Sequence, residues 1–210
     1  MATTDDNAKA PTLRERKRSV VRDDLALSAL ALLDEKGWSN VTVGDIAKAS
    51  GMSVRTFYRH FPSKSDALWP ILHDHMKHQH QAFIDSDERD LVERTADAVV
   101  ISFSSASGGI EGAHRIYRLL LSTEELTPVW LRASVEAETG YMAAIETAFP
   151  EFTDTHETRL VAAIIVTCVR VALHDWIFDD PDTLRAHSIR ALDRAALRPR
   201  PSAGKTTDTR

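Results

Sequence analysis

Apolar residues recur at intervals of three and four through nearly the whole chain, which is the spacing of one face of an α-helix. The first such stripe consists of Val21, Leu25, Ala29, Leu32 and Leu33. It predicts an amphipathic helix that starts at a capping box, Thr12 with Glu15, and ends before Gly37. Prolines and glycines separate further helical patterns, and no alternating pattern typical of a strand occurs. The sequence therefore predicts an all-α fold.

Two short helical patterns follow this helix and meet at a tight turn. Thr42 can cap the first of them, and Asp45 suits the positive end of its dipole. Gly51 can end that helix because glycine adopts the left-handed conformation without steric cost. Ser53 can cap the second helix, and Ser63–Asp66 fits a capping box for a third. Two helices joined by a short glycine-containing turn predict a helix-turn-helix.

The second helix of this pair has a basic and polar side. Its predicted apolar face consists of Val54, Phe57 and Phe61, and the opposite side carries Arg55, Thr56, Arg59 and His60. Arginine can bond two acceptors of a guanine edge, and threonine can contact a thymine methyl, so this side suits the major groove of DNA. The alternative interpretation is an ordinary helical hairpin with a solvated charged face.

Residues 14–68 resemble the DNA-binding domain of the TetR family of bacterial transcriptional repressors. The resemblance is carried by the segments at 42–47, 49–53, 56–61 and 63–68, in the right order and spacing. It implies that Thr42, Tyr58, His60 and Lys64 hold phosphates. It also implies that Val54, Arg55 and Thr56 read bases, flanked by Ser53 and Arg59. The run Ser53-Val54-Arg55 departs from the commoner small residues there, so the operator sequence is not predictable.

Charge is divided unevenly along the chain. The whole protein of 210 residues carries a formal net charge of −5. Residues 9–66 hold 11 basic and 7 acidic side chains, a net charge of +4, whereas residues 67–210 hold 15 and 22, a net charge of −7. A basic end on an acidic body favours one orientation on a polyanion. Arg14 and Arg18 belong to a basic cluster that either contacts the DNA backbone or forms a solvated face.

The remaining chain predicts a second, larger helical domain. The predicted domains are a tail at 1–11, a DNA-binding domain at 12–66, a ligand-binding and dimerisation domain at 67–197, and a tail at 198–210. Pro70 is expected about two turns into the helix begun by Lys64, where it would favour a kink. In the family this helix joins the two domains, so a ligand could act on DNA binding through it.

Residues 158–179 are apolar over most of a helical circumference, which indicates burial from several sides. The alternatives are a central core helix or a helix shared with a twofold partner, and the resemblance favours a homodimer. The predicted dimer interface consists of Val161, Ile164, Ile165, Cys168, Val171, Leu184 and Leu192. No apolar run is expected to span a membrane, and the N-terminal residues do not fit a signal peptide, so we expect a cytoplasmic protein.

Aromatic and polar residues of the middle helices are candidates for a small-molecule pocket, although scattered aromatics are more often core. The candidate ligand residues, a prediction taken from the resemblance, are Phe103, His114, Tyr117, Arg118, Trp130, Tyr141, His174 and Trp176. The cluster His73, His75, His78 and His80 raises the question of a metal, but no firm third ligand is evident, and a solvated face is favoured. We predict no metal and no cofactor.

No catalytic motif of a hydrolase, metalloprotease or P-loop enzyme occurs, so an enzyme is not expected. Together with these patterns, the resemblance to the TetR family implies a homodimeric repressor that binds a palindromic double-stranded operator and is released by a small molecule. A ligand-independent DNA-binding regulator, an activator or a helical enzyme are the alternatives. The sequence does not indicate the operator, the effector or the regulated genes.

Overall fold

The computed structural model describes residues 13–106, 108–179 and 183–195, with side chains described from Val20 onward. Within these ranges the chain forms α-helices joined by short loops and 3-10 turns, and no strand, so the predicted all-α fold is confirmed. The helices are α1 Leu13–Lys36, α2 Val43–Ala49, α3 Val54–His60, α4 Trp69–Asp85, α5 Leu91–Ser104, α6 Gly109–Ser122, α7 Thr127–Ala148, α8 Thr155–Phe178 and α9 Leu184–Arg194. Thr12 and the predicted tails at 1–11 and 198–210 lie outside the described residues.

The chain divides into two compact units, one up to Leu72 and one from His73 onward. The predicted domain boundary between residues 66 and 67 falls inside the 3-10 turn Ser65–Leu68, a few residues earlier. The division lies within α4, so this single helix begins in the first unit and continues into the second.

The first unit packs α1 against α2 and against the 3-10 turn that precedes α4, while α2 packs against α3. Its core consists of Leu25, Ala26, Ala29, Leu33, Val41, Ile46, Ala47, Phe57, Phe61, Ala67 and Leu68. The end of α1 follows from Gly37, whose φ of 76° lies in the region that favours glycine. Three of the five residues of the α1 stripe are therefore buried, as its spacing predicts, and Val21 and Leu32 are half-buried.

Pro70 occupies a different position from the one expected. The residues before it form a separate 3-10 turn, and α4 begins only at Trp69. Pro70 is thus the second residue of the α-helix, where its missing N–H leaves no intrahelical hydrogen bond unmade. The expectation of a proline within the helix interior is wrong, and with it the physical reason for a kink disappears.

In the second unit, α8 packs against α7, α9 and α6, and α9 also packs against α5. The guanidinium of Arg185 on α9 donates hydrogen bonds to Asp97, at 2.7 Å, and to Glu93, both on α5. On the other side of α9, the Cys168 thiol donates to the carbonyl oxygen of Ala191 at 3.5 Å. Helix α9 is thereby held between α5 and α8.

Helix α8 is long and apolar enough to cross a membrane by length and composition, contrary to the expectation from sequence. Its most apolar window has a mean hydropathy of 1.8, and 44 % of that window is buried inside the protein. A core helix of a soluble protein passes the same test, and the neighbours of α8 are helices of its own unit. The position of α8 is that of a core helix with one uncovered side.

Candidate nucleic-acid interface

Helix α3 is fixed at its start by a local cap and along one side by aromatic packing. The Ser53 hydroxyl accepts a hydrogen bond from the Thr56 backbone N–H at 3.1 Å. Phe57 is fully buried and lies 5.5 Å, ring to ring, from Phe61. The guanidinium of Arg22 on α1 lies 5.6 Å from the centre of the Phe61 ring. These contacts anchor the apolar side of α3 and leave its other side uncovered.

The side of α3 that resembles a DNA reader is open to solvent. Arg55 and Arg59 are exposed, and Thr56 and His60 are half-buried. Tyr58 is 55 % exposed while its ring contacts Phe57 edge-on at 5.6 Å. Val54, expected on the buried face, is also exposed, and only Phe57 and Phe61 of the predicted apolar face are buried. Its exposure is compatible with apolar contact to a base.

The turn between α2 and α3 is short and hydrogen-bonded. Gly51 has a φ of 64°, so a side chain at this position would be strained. The Met52 N–H donates to the Ala47 carbonyl at 2.8 Å, and the Gly51 N–H donates to that of Lys48 at 3.1 Å. These two hydrogen bonds close the end of α2 and fix the direction in which the chain enters α3.

Thr42 caps α2 in a reciprocal pair with Asp45. The Asp45 N–H donates to the Thr42 hydroxyl oxygen at 3.2 Å, and the Thr42 N–H donates to the Asp45 carboxylate at 2.9 Å. Hydrogen bonds from the side chain and backbone of Thr42 lower the pKa of Asp45. Thr42 is exposed, as a phosphate contact requires, but its hydroxyl also donates to the Asp45 carboxylate at 2.6 Å.

The resemblance implies that Lys64 holds a phosphate, but in the structure its ammonium bonds to groups of its own chain. Its ammonium donates hydrogen bonds to the carbonyl oxygens of Trp38 and Val41, at 2.8 and 2.9 Å. Ser63 caps the turn that follows, because its hydroxyl oxygen accepts from the Asp66 N–H at 3.3 Å. Arg14 and Arg18 lie in the first turns of α1, and their side chains are outside the described part of the chain.

Five of the candidate ligand residues form one connected cluster of rings in the second unit. Phe103 and Tyr117 have ring centroids 4.7 Å apart, Tyr117 and Trp130 are 5.7 Å apart, and His114 and Trp176 are 4.7 Å apart. Phe103 and Trp176, at 6.0 Å, connect the two halves. The cluster therefore draws on α5, α6, α7 and α8.

His75 of α4 completes this cluster, although the sequence pointed to it only as a possible metal ligand. Its ring is parallel to that of Tyr117 at 5.8 Å and lies 5.6 Å from that of Phe103. It is 5 % exposed, and its Nδ1 finds no hydrogen-bond partner among the described residues. Burial lowers the pKa of His75 to about 4, and Asp74 opposes this effect. At neutral pH the imidazole is uncharged.

The other three candidate ligand residues lie elsewhere. Tyr141 is buried beside His80 and Phe83, with ring centroids 4.9 and 5.5 Å away, and Gln79 donates to its hydroxyl at 2.7 Å. His174 is exposed near the end of α8. Arg118 is exposed, although its charge contributes, after burial, to lowering the pKa of His114.

The predicted dimer residues separate into a buried and an uncovered group. Ile165, Cys168, Leu184 and Leu192 are buried within the protomer, so they serve its own core. Val161 and Ile164 are half-buried, and Val171 is 49 % exposed. The uncovered side of α8 also holds two residues of its second apolar stripe, Leu160 and Phe178.

The α4 histidines do not converge on one point. His73 pairs with Glu136 of α7 at 3.3 Å, and His78 pairs with Asp74 at 3.4 Å. Elsewhere, His174, Asp175 and Asp179 lie near one another, with their ligand atoms within 4.8 Å. These three side chains are all at least two-fifths exposed. Exposed groups of this kind are common without an ion.

Comparison with known proteins identifies the same family that residues 14–68 resemble. Residues 27–68 match the family described as "Bacterial regulatory proteins, tetR family". The HTH-type transcriptional regulator TcmR of Streptomyces glaucescens is 32 % identical over 94 % of this chain and 91 % of its own length.

Two solved structures show the same fold. The multidrug binding protein EbrR, complexed with imidazole, aligns with a TM-score of 0.60 at 18 % identity, covering 87 % of this chain and 97 % of that one. A tetR-family transcriptional regulator from Streptomyces coelicolor aligns with a TM-score of 0.59 at 16 % identity, covering 85 % and 80 %. Proteins of this kind regulate transcription and are not enzymes. With a helix-turn-helix at one end and a relative matched over nearly its full length, this chain belongs to the TetR family of bacterial transcriptional regulators.

Proposed function

We propose that this protein is a homodimeric repressor that binds a palindromic operator through α3 and leaves it when a small molecule binds the second unit. The observation that carries the proposal is the uncovered basic side of α3 above a fully buried Phe57. A DNA-binding regulator works where the chromosome lies, so we also propose that the protein acts in the cytoplasm.

On the operator, Arg55 is the principal base reader. Its exposed guanidinium can bond O6 and N7 of a guanine together, while Val54 and Thr56 beside it can contact thymine methyl groups. Ser53 and Arg59 flank these positions. Thr42, Tyr58 and His60 hold phosphates, which set the register of α3 without reading sequence. Lys64 is not among them, since its ammonium is held by two carbonyl groups.

The uncovered side of α8 supports the proposed dimer. Leu160, Ile164, Val171 and Phe178 lie at spacings of four and seven, which places them on one helical stripe. Exposed apolar stripes of this length mark contacts with other proteins. A second copy covers the stripe, and two copies bring two α3 helices to half-sites about 34 Å apart.

The effector site is the aromatic cluster around His75. Flat rings suit an apolar or aromatic ligand, and a neutral imidazole with an unpartnered nitrogen can orient one polar group of it. EbrR, which shares this fold, is a multidrug binding protein. Because α4 carries His75 and begins in the first unit, a shift of α4 on ligand binding can change DNA binding.

The proposal is tested by selecting duplexes from a random pool with the full-length protein. We expect an inverted repeat bound by two protomers, as measured by sedimentation, and lower reporter expression from a promoter that contains it. Selection of an asymmetric site bound by one protomer would contradict the dimer, and increased expression would contradict repression.

A further inference from the structure

Lys64 lies just after the helix-turn-helix and bonds to the connection just before it. Its ammonium donates to the carbonyl oxygens of Trp38 and Val41, which are 26 and 23 residues away in the chain. The same ammonium lies 3.8 Å from the centre of the Trp38 indole ring. One half-buried cation is thus held by three groups of a single short segment.

This segment sets where α2 begins. Trp38–Asn40 is a 3-10 turn that follows Gly37, and Val41, which is 2 % exposed, directly precedes the α2 cap Thr42. Hydrogen bonds from an ammonium to carbonyl oxygens are stronger than those between neutral groups, and a cation over an indole ring adds further attraction. Lys64 therefore fastens the start of α2 to the turn that follows α3.

We propose that Lys64 is a positioning residue for α3, which joins the two ends of segment 42–63 and so fixes the direction in which α3 meets the bases. The closed segment contains all of α2, the turn at Gly51 and all of α3. A recognition helix must be held to a fraction of an ångström for its side chains to reach base edges together. The inference rests on the proposed role of α3 as the DNA reader.

A phosphate contact by Lys64 leads to different expectations. An ammonium has three N–H donors, and two of them are directed at carbonyl groups here. Drawing it toward a phosphate would remove the charged donor from both carbonyls. A phosphate contact raises affinity for every DNA sequence and adds about 0.9 to the slope of log K against log salt. A positioning residue instead raises the preference for the operator and leaves that slope unchanged.

The experiment compares the full-length protein with Lys64→Met, using a duplex selected from a random pool and a shuffled duplex of the same composition. Fluorescence anisotropy gives both dissociation constants at several salt concentrations. We expect the ratio of the two constants to fall about tenfold, as for the loss of one base contact, with an unchanged salt slope. An unchanged ratio overturns the proposal, and a slope smaller by about 0.9 assigns Lys64 to a phosphate instead.

Trp38→Leu provides a second, uncharged test because it removes the ring and keeps both carbonyl groups. We expect Trp38→Leu to lose less operator preference than Lys64→Met does. The double variant should lose no more than Lys64→Met alone, since the two side chains act as one unit. Lys36→Met, at an exposed lysine that ends α1, is the matched control and should change neither quantity. Circular dichroism at the measuring temperature confirms folding. If Lys64→Met does not fold, an unchanged ratio in Trp38→Leu overturns the proposal.

Arg55→Ala separates failure of this inference from failure of the proposed function. If Arg55→Ala loses operator preference while Lys64→Met and Trp38→Leu keep it, only the positioning role is wrong. If Arg55→Ala also keeps its preference, α3 is not the reader, and the inference is overturned along with that assignment.

Discussion

The side chains of α3 fall into two groups, and burial separates them: buried residues hold the helix in place, and exposed residues are available to DNA. Phe57 and Phe61 are closed to solvent and hold the helix, whereas Arg55 has no role in the core and remains exposed. The planar fork of an arginine is pre-organised, so less side-chain freedom is lost for each hydrogen bond that it forms with a guanine edge. Under the proposed function, specificity therefore rests on a few exposed side chains that contribute little to folding.

Arg55→Ala is expected to cost about 1–3 kcal/mol of binding free energy at the operator and to relax base preference at one position of each half-site. Stability should be unchanged, because the side chain is exposed. Competition binding against operators with single base changes measures the effect. Arg132→Ala, at an exposed arginine of α7, is the control and should bind like the parent protein. Equal loss of affinity for all sequences would reassign Arg55 to a phosphate.

Stability should fall with acid because His75, which is buried, and His80, which is half-buried, stay neutral in the folded protein. Burial lowers the pKa of both His75 and His80 from 6.5 to about 4. Between these values the unfolded chain binds more protons than the folded one, so the free energy of unfolding falls as the pH is lowered from 6.5 to 4. The slope is up to about 1.4 kcal/mol per pH unit for each histidine.

Urea unfolding from pH 7 to pH 4.5 measures this slope, and His75→Phe should remove about half of it. His156→Gln, at an exposed histidine of α8, should leave the slope unchanged. A parent protein whose stability does not change over this range would contradict the burial of these imidazoles.

Residues that act through local hydrogen bonds were predictable from the sequence, and residues that act at a distance were not. Thr42, Ser53 and Gly51 each mark a helix end through a hydrogen bond to a residue three positions away, and all three do so in the structure. The bonds of Lys64 reach back more than 20 residues, and His75 meets rings from other helices. Such partners depend on the packing of helices, which spacing along one helix does not reveal.

Among the elements, α8 shows what a helical pattern can and cannot predict. Its apolar residues predicted burial from several sides, and three helices, α6, α7 and α9, pack against it. The pattern did not show which residues face the protomer's own core, so four of the predicted interface residues lie inside it. Only the contacts of neighbouring helices identify the uncovered stripe.

Val171→Asp is expected to convert the proposed dimer to a monomer, because a carboxylate would be desolvated at the centre of the apolar stripe. The penalty should be at least about 2 kcal/mol, or about a thirtyfold increase in the dimer dissociation constant. Sedimentation velocity at micromolar protein measures it, and operator affinity should fall in parallel. Val135→Asp, at a 68 % exposed valine of α7, is the matched control. If Val171→Asp stayed dimeric while Val135→Asp became monomeric, the interface would lie on α7.

Helices α4 and α7 approach closely at a glycine in the middle of α7. A Cβ atom on Gly140 would clash with Cε1 and Nδ1 of the His80 imidazole. Gly140→Ala should therefore destabilise the protein by about 1–3 kcal/mol through overpacking, although alanine favours a helix by about 1 kcal/mol. Combining it with His80→Ala, which removes the ring, should recover most of the loss. Thermal unfolding of the two single variants and the double variant measures this coupling, and strictly additive losses would contradict the contact.

At the scale of the whole molecule, the division between the two units of the chain falls within α4, and the proposed regulation acts through this helix. The first unit carries the basic segment, and the second carries the acidic helices and the aromatic cluster. This distribution favours approach of the first unit to DNA. A ligand that releases the operator must bind the free state more tightly than the DNA-bound state, since equal affinity for both would shift nothing.

A compound that occupies the aromatic cluster should therefore stabilise the protein and weaken operator binding by linked amounts. At a concentration 100 times its dissociation constant it should add about 2.7 kcal/mol to the free energy of unfolding, which a thermal-shift screen detects. Operator DNA should lower the affinity of that compound by the same factor by which the compound lowers operator affinity. Trp176→Ala should lower the affinity for the compound and leave the affinity for operator DNA unchanged. A compound that stabilises the parent protein through this cluster, yet leaves operator affinity unchanged at fixed salt, would show that ligand binding and DNA release are not coupled.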